Sequence, residues 1–499
     1  MNYHKLLLIT LSNIIISSTV YFESDPFYLF YYENEMFNQK NQITSLHIRP
    51  VYKKFSETKT KLTYNSWYYY NDNVPNLENM SNKWVSKGNN LFNSVHFDYF
   101  NDFIYFSLEP FLLISENLNF DLVHTDPVFQ SLNDRLSHTE KPYISYGLRE
   151  SQLIIHKKDI GIGLSNANMW WGPGLHSALN MSNNTTGFNY FFLGTTSEKK
   201  IGSIGYNIKY IFSKLTKNIA KPYFTGLTTD LTYYSNPIIT LGFFRSFISG
   251  GTISDEDVDM IDAMLLPLQS FFKKALKEQN NNQNPSDDID QTASFFISAL
   301  FPESKFKLFL EYGWNDHRWD MYDLIQHPEH SGASIMGFRK YGLFNNKNLI
   351  IGAEYTNLIK SRFQNRSNGN WYDKIVFDYS LYDGRRWTAH SGSDSDDLFI
   401  YFGYLSNEND LILSFNYERH GVVESVLISQ ETDLFHIPEV KLELKLDARK
   451  KIKQNEYYFF YEFEYLDDVG IVHQGIDRHF ELPGRKANVF GIGFKRNLK

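Results

Sequence analysis

Apolar and polar side chains alternate with a period of two over much of the chain. In Lys441-Leu442-Glu443-Leu444-Lys445-Leu446-Asp447 every leucine falls on one face of an extended strand and every charge on the other, so that strand must separate two very different environments. Phe306, Leu308, Leu310 and Tyr312 share a side in the same way, as do Leu411, Leu413, Phe415 and Tyr417. Tyr457, Phe459, Tyr461, Phe463 and Tyr465 line one face, with Glu462 and Glu464 on the other. Similar runs predict strands at 43–52, 61–70, 94–100, 103–113, 143–155, 159–164, 203–212, 226–234, 238–247, 349–356, 371–379 and 398–404. A last strand is expected over 488–494, where Phe494 is nearest to the aromatic residue on which membrane barrels usually finish. Strands of about 9 to 11 residues divided by turn residues mark a transmembrane β-barrel. Alternation alone leaves a soluble β-sandwich open, and no repeat period supports a propeller.

Two stretches break this pattern. From Ser254, a plausible N-cap, apolar Val258, Ile261, Leu265, Leu268, Phe272 and Leu276 recur at helical spacing, with Pro267 expected to kink the helix. A polar, asparagine-rich run follows to Asp290, so 252–291 reads as a helical and disordered insertion, placed among the outer loops. At the N-terminus, His4 and Lys5 precede an apolar run over 6–16 and the small residues Ser17-Ser18-Thr19. This resembles a secretory signal peptide, taken as 1–21, which leaves 22–499 as the barrel. The apolar run is shorter than the roughly 20 residues of a spanning helix. If the chain enters a membrane it must therefore do so as a closed sheet, which leaves no backbone group unpaired in lipid.

Composition supports the sheet. Aromatic residues make up 17%, with 34 Tyr and 42 Phe, and mean hydropathy is −0.40, too low for a helical membrane protein. The formal charge of −8, about −9 once Lys5 leaves with the leader, argues against a nucleic-acid partner. With no cysteine, disulfides, thiolate metal sites, cysteine nucleophiles and a lipoprotein anchor are all excluded.

The chemistry-bearing stretch runs from Asn168 to Phe188, where Trp170 and Trp171 enter Gly172-Pro173-Gly174 and Ser182-Asn183-Asn184 follows. Proline and glycine in that order enforce a sharply folded loop. Aromatic faces beside planar amides suit a sugar ring, although tryptophans also anchor loops. W-W-G-P-G with M-S-N-N and G-F resembles the Wzi-type capsule assembly proteins, outer-membrane β-barrels that act as lectins for surface polysaccharide. The resemblance continues through 290–294, Glu311-Tyr312-Gly313-Trp314-Asn315-Asp316-His317, 327–331, 352–356 and Gly384-Arg385-Arg386-Trp387-Thr388-Ala389-His390 with Asp394-Ser395-Asp396-Asp397. It implies an all-β fold, a transmembrane antiparallel barrel of about 18 strands, in the outer membrane of a Gram-negative bacterium.

Glu311 with Asp316, or Glu354 with an aspartate of 394–397, has the residue types of a glycosidase pair, but only a structure gives their separation. His317, Asp320, Asp323, His327 and His330 match no zinc spacing, and 394–397 lacks the glycine and distal glutamate of an EF-hand. No cofactor, metal or catalytic group is expected. Candidate polysaccharide contacts are Trp170, Trp171, Trp314 and Trp387 for stacking, Arg385 and Arg386 for acidic sugar groups, and Asn183, Asn184, Asp316 and His317 for hydroxyls. The expected protein is a monomer in outer-membrane lipid that binds capsular or extracellular polysaccharide. A porin-like channel for oligosaccharides is the alternative, which a filled lumen would disfavour.

Overall fold

The computed structural model describes residues 26–38, 43–51, 60–75, 77–120, 141–252, 258–269, 289–315, 331–359, 371–372, 375–423, 435–436, 438–467, 472–473 and 484–498. Their framework is a closed, wholly antiparallel barrel of 18 strands. The wall opens with β1 (Thr60–Asn71), β2 (Gly88–Phe100), β3 (Ile104–Ser115), β4 (Tyr143–Lys157) and β5 (Ile160–Ser165). β6 is made of two pieces, Tyr190–Thr195 and Lys199–Ile201, both paired with β7 (Ile204–Lys214). β8 (Tyr223–Tyr233), β9 (Ile238–Ser249), β10 (Ile289–Phe301), β11 (Phe306–Asn315), β12 (Gly332–Leu343) and β13 (Asn346–Asn357) continue it. β14 (Ser395–Leu405), β15 (Asn409–His420), β16 (Glu439–Ile452), β17 (Asn455–Asp467) and β18 (Arg485–Asn497) complete it. β18 closes on β1, with Phe494 opposite Ser66.

Connections sort by rim. One rim carries only short turns, such as 158–159 and 344–345, while at the other the chain runs through 72–87, 116–142, 166–189, 250–288 and 358–394. In outer-membrane barrels the short turns face the periplasm and the long loops face outward.

Strand parity decides each side chain's surroundings. Leu308, Leu310, Leu411, Leu413, Phe415, Leu444, Tyr457, Phe459 and Tyr461 are exposed on the outer wall, whereas Glu443, Glu462 and Glu464 are buried inside. The apolar face expected from the alternation is the lipid-facing belt, and the charged face lines the lumen. Two segments with strand-like alternation do not join the wall. Among the described residues of 43–52 the strand is Ile48–Arg49, and it pairs inside the lumen rather than in the wall; those of 371–379 hold a turn and the start of the 3-10 helix Ile375–Ser380.

Among the described residues, two α-helices depart from the sheet. α1 (Pro26–Asn38), unforeseen from the pattern, lies in the lumen near the short-turn rim: Phe30 packs on Tyr401 with ring centroids 4.8 Å apart, and Phe37 packs on Tyr341 at 5.2 Å. α2 (Met260–Gln269) occupies the expected insertion and contains Pro267. Its N-cap is Asp259, whose carboxylate accepts the Asp262 N–H at 2.8 Å, while Ser254 and 270–276 lie outside the described residues. α2 rests on the outside of the wall: outward-facing Tyr210 and Thr225 donate to the Met264 and Ala263 carbonyls at 2.8 and 2.9 Å. Ala263 and Leu266 are buried against the wall, and Met260, Ile261, Leu265 and Leu268 face away from it, exposed.

Candidate functional site: the filled lumen

The lumen is filled from both ends. At the short-turn end, Glu33 of α1 accepts both prongs of Arg339, Nε to Oε2 at 2.9 Å and an Nη to Oε1 at 3.0 Å, together with Lys307 at 3.0 Å and the Tyr341 hydroxyl at 2.6 Å. Burial opposes ionisation, but Arg339 and Lys307 outweigh it and hold the Glu33 carboxyl well below the usual carboxylate range. From α1 the chain rises through 43–51. Thr44 and Ser45 donate to Glu198 and Asp230 at 2.9 and 2.7 Å, and Lys209 donates to the Pro50 carbonyl at 2.6 Å.

At mid-height this segment meets the W-W-G-P-G loop. Ile48 and Arg49 pair antiparallel with Trp171 and Trp170. Trp171 lies over Gly226, where an added Cβ would come within 2.3 Å of its ring, and its neighbours are Phe224 and Phe244. Gly172 has φ +140°, and a Cβ there would stand 2.7 Å from the Glu311 carboxylate. The loop then turns about Glu354, whose carboxylate accepts the N–H groups of Leu175, His176 and Ser177 at 2.7, 3.1 and 2.7 Å. Arg339 also donates to the Pro173 carbonyl at 2.9 Å, which couples this loop to α1.

The inward loops 166–189 and 358–394 hold each other. Ser182 N donates to the Trp387 carbonyl at 2.6 Å, and Asn184 donates to the Arg386 carbonyl at 3.2 Å. Arg385 donates to the Ser81 carbonyl at 2.5 Å with its guanidinium 5.1 Å over the Trp84 ring. The candidates drawn from these loops are thus brought together, but as interior. Trp171, Trp387 and Arg386 are at most 1% exposed, and Trp170, Asn183, Asn184 and Arg385 are buried too. Stacking on a free ring face is closed to Trp171 and Trp387 in this arrangement, because the core aromatic residues already cover them. Trp170 lies beneath the Arg49 guanidinium, 4.7 Å away, and with Asn183 and His176 borders a cavity of roughly 100 Å³ that reaches Glu443, Lys445 and Asp447. That volume holds several waters, not a polymer.

Trp314 faces the other way. It shares parity with Leu308, Leu310 and Tyr312, and its ring meets Tyr312 and Phe295 at 5.1 and 5.9 Å in an aromatic girdle on the outer wall. Asp316 and His317 lie outside the described residues, as do Arg318, Asp320, Asp323, His327 and His330. Of the proposed acid and base residues, Glu311 accepts from Ser294 at 2.6 Å and Glu354 is occupied by the loop amides, both buried in the lumen. The run 394–397 is divided as well. Asp394 accepts Val423 N at 2.8 Å, Asp396 pairs with Arg419 on the outer wall, and Asp397 turns inward to His176 and His390. Burial pulls the His176 imidazole down, but the Asp397 carboxylate beside it prevails and lifts it to about 9. No motif announced this trio, because its members, spread from 176 to 397, meet only in the folded lumen.

The model of the Wzi capsule assembly protein family matches residues 87–465. The chain belongs to the Wzi family. Among solved structures it resembles Wzi of Escherichia coli, an outer-membrane protein involved in group 1 capsule assembly and described as a carbohydrate-binding β-barrel. The TM-score is 0.59 at 11% identity, covering 92% of this chain and 96% of that one. OccAB2 of Acinetobacter baumannii (TM-score 0.44, 9% identity, 88% and 98% covered) and OccK5 of Pseudomonas aeruginosa (0.41, 9%, 88% and 98%) are more distant. No curated protein matches the sequence. At such identity the structural likeness speaks for the fold, and the family places this 18-strand barrel in capsule assembly.

Proposed function

We propose that this Wzi-family barrel is exported through a leader at 1–21, sits in the outer membrane as a monomer, and binds capsular or extracellular polysaccharide at its long-loop face, so that capsule is assembled or held at the cell surface. The observation that carries this reading is the filled lumen: Glu33 and Trp171, at two heights, are each 1% exposed. A barrel stoppered by its own helix and loops is poorly suited to pass oligosaccharides, which favours a surface role over the channel. The W-W-G-P-G and Arg385-Arg386-Trp387 residues then act as anchors that shape the loop platform, not as the stacking faces themselves. Glycan contacts fall to the rim, where the exposed Lys217–Asp383 pair is 2.7 Å apart, and to Asp316 and His317. Many weak contacts to a repeating polymer would give avidity without a deep site.

The test is binding of the detergent-refolded protein to capsular polysaccharide of its own host, with Lys217→Ala/Asp383→Ala and Asp316→Ala/His317→Ala beside it. Saturable binding with intact glycan chains, weakened in a folded variant, supports the reading. Shortened chains would indicate an enzyme. No binding together with conductance in planar bilayers would restore the channel.

A further inference from the structure

One lumen cluster plays no part in the polysaccharide reading. His176 comes from the W-W-G-P-G loop, His390 from the connection 358–394 and Asp397 from β14, and all three are buried, at 9%, 8% and 1% exposure. Both Nε2 atoms converge on one oxygen: His176 Nε2 and His390 Nε2 each lie 3.3 Å from Asp397 Oδ2. Neither makes a hydrogen bond of normal geometry, and the two Nε2 atoms and both Asp397 oxygens remain buried without one. A charge-assisted N–H to carboxylate bond would draw in to about 2.7–2.9 Å. By contrast, ligand atoms bound tetrahedrally at about 2.0–2.1 Å stand roughly 3.3 Å from one another.

We propose that His176, His390 and Asp397 bind a divalent transition-metal ion, with zinc the best match to two imidazoles and a carboxylate, and with the Glu418 carboxylate beside His390. Glu418 Oε2 is 3.8 Å from His390 Nε2, and its other oxygen is fixed by His420 Nε2 at 2.5 Å, which Glu439 orients in turn at 2.8 Å. The neighbouring cation, Lys441, is engaged by Glu78, Glu418 and Glu443, and no Lys or Arg among the described residues forms an ion pair with Asp397. The imidazoles are also held in place: the His176 ring stacks on Phe399 at 4.1 Å and 6°, and meets the His390 ring edge-on at 4.5 Å. An ion here would pin two inward loops to the wall by one bond set, a structural lock on the plug.

The experiment uses full-length protein refolded without a histidine tag, stripped by chelator, and reloaded with Zn²⁺ or Co²⁺. Expected are one tightly held ion per chain by elemental analysis, visible Co²⁺ bands of tetrahedral character, and a higher unfolding temperature on reloading. Asp397→Asn and His390→Gln should each weaken binding by ~100-fold or more and abolish the reloading shift. If a variant fails to fold, the Co²⁺ spectrum and stoichiometry of the wild type decide. Absence of a retained ion in the wild type, or equal retention in both folded variants, would overturn the proposal and leave a His176–Asp397 ion pair as the whole of the interaction.

Discussion

The Glu33 carboxylate is held by both prongs of the Arg339 guanidinium, at 2.9 and 3.0 Å, so a helix residue near the start of the chain is tied to the inner wall of β12. Because Arg339 also reaches the Pro173 carbonyl, one side chain joins the plug helix to the W-W-G-P-G loop. Glu33→Gln leaves Arg339 and Lys307 buried without their counter-charge, and should cost about 3–5 kcal/mol. Denaturant unfolding in detergent measures the loss. Proteolysis from the short-turn side should cut the variant within α1 before the wild type.

The same carboxyl sets an acid limit. Its folded pKa lies below the unfolded value of 4.5, so its contribution is present above 4.5 and is lost only as pH falls through the lower folded value. The difference in stability between wild type and Glu33→Gln should therefore stay flat from neutral pH down to about 4.5 and shrink below it. A difference already vanishing at pH 6 would contradict the paired geometry.

Gly226 makes room for Trp171. Gly226→Ala would place a methyl 2.3 Å from the indole, which cannot swing away because Phe224 and Phe244 flank it. The expected cost is ~1–3 kcal/mol, with a shift in tryptophan fluorescence, while Trp171→Ala should cost ~3–5 kcal/mol by opening a core cavity. Trp314→Ala, on the outer wall, should do neither.

α2 turns an apolar face away from the wall at the height of the aromatic girdle, as an interfacial helix does. A spin label at Ile261 should be quenched more by lipid-soluble oxygen than by a water-soluble nickel chelate. The reverse order would place the helix in water.

Much of the wall was legible in the sequence because period two is a local property: 441–447 and 457–465 announce both the strands and their two faces. Even the outward aim of Trp314 follows from its parity with Leu308, Leu310 and Tyr312, a signal that its place in a polar block obscured. Period two does not say where an extended segment lies, so 43–52 reads as wall although Ile48–Arg49 pairs inside the lumen. α1 is hard to read from the pattern because its aromatic-rich run carries little helical amphipathicity, and its one decisive charge is stabilised by Lys307 and Arg339, far along the chain.

The sequence by itself therefore determined a membrane barrel of the Wzi family, its belt and the motifs of its inner loops. Tertiary structure decided that those motifs are buried, that the lumen is filled, and that His176, His390 and Asp397 meet. The reason is physical: the face of a strand is written in adjacent residues, whereas burial and convergence depend on which distant segments the closed wall forces into one small interior.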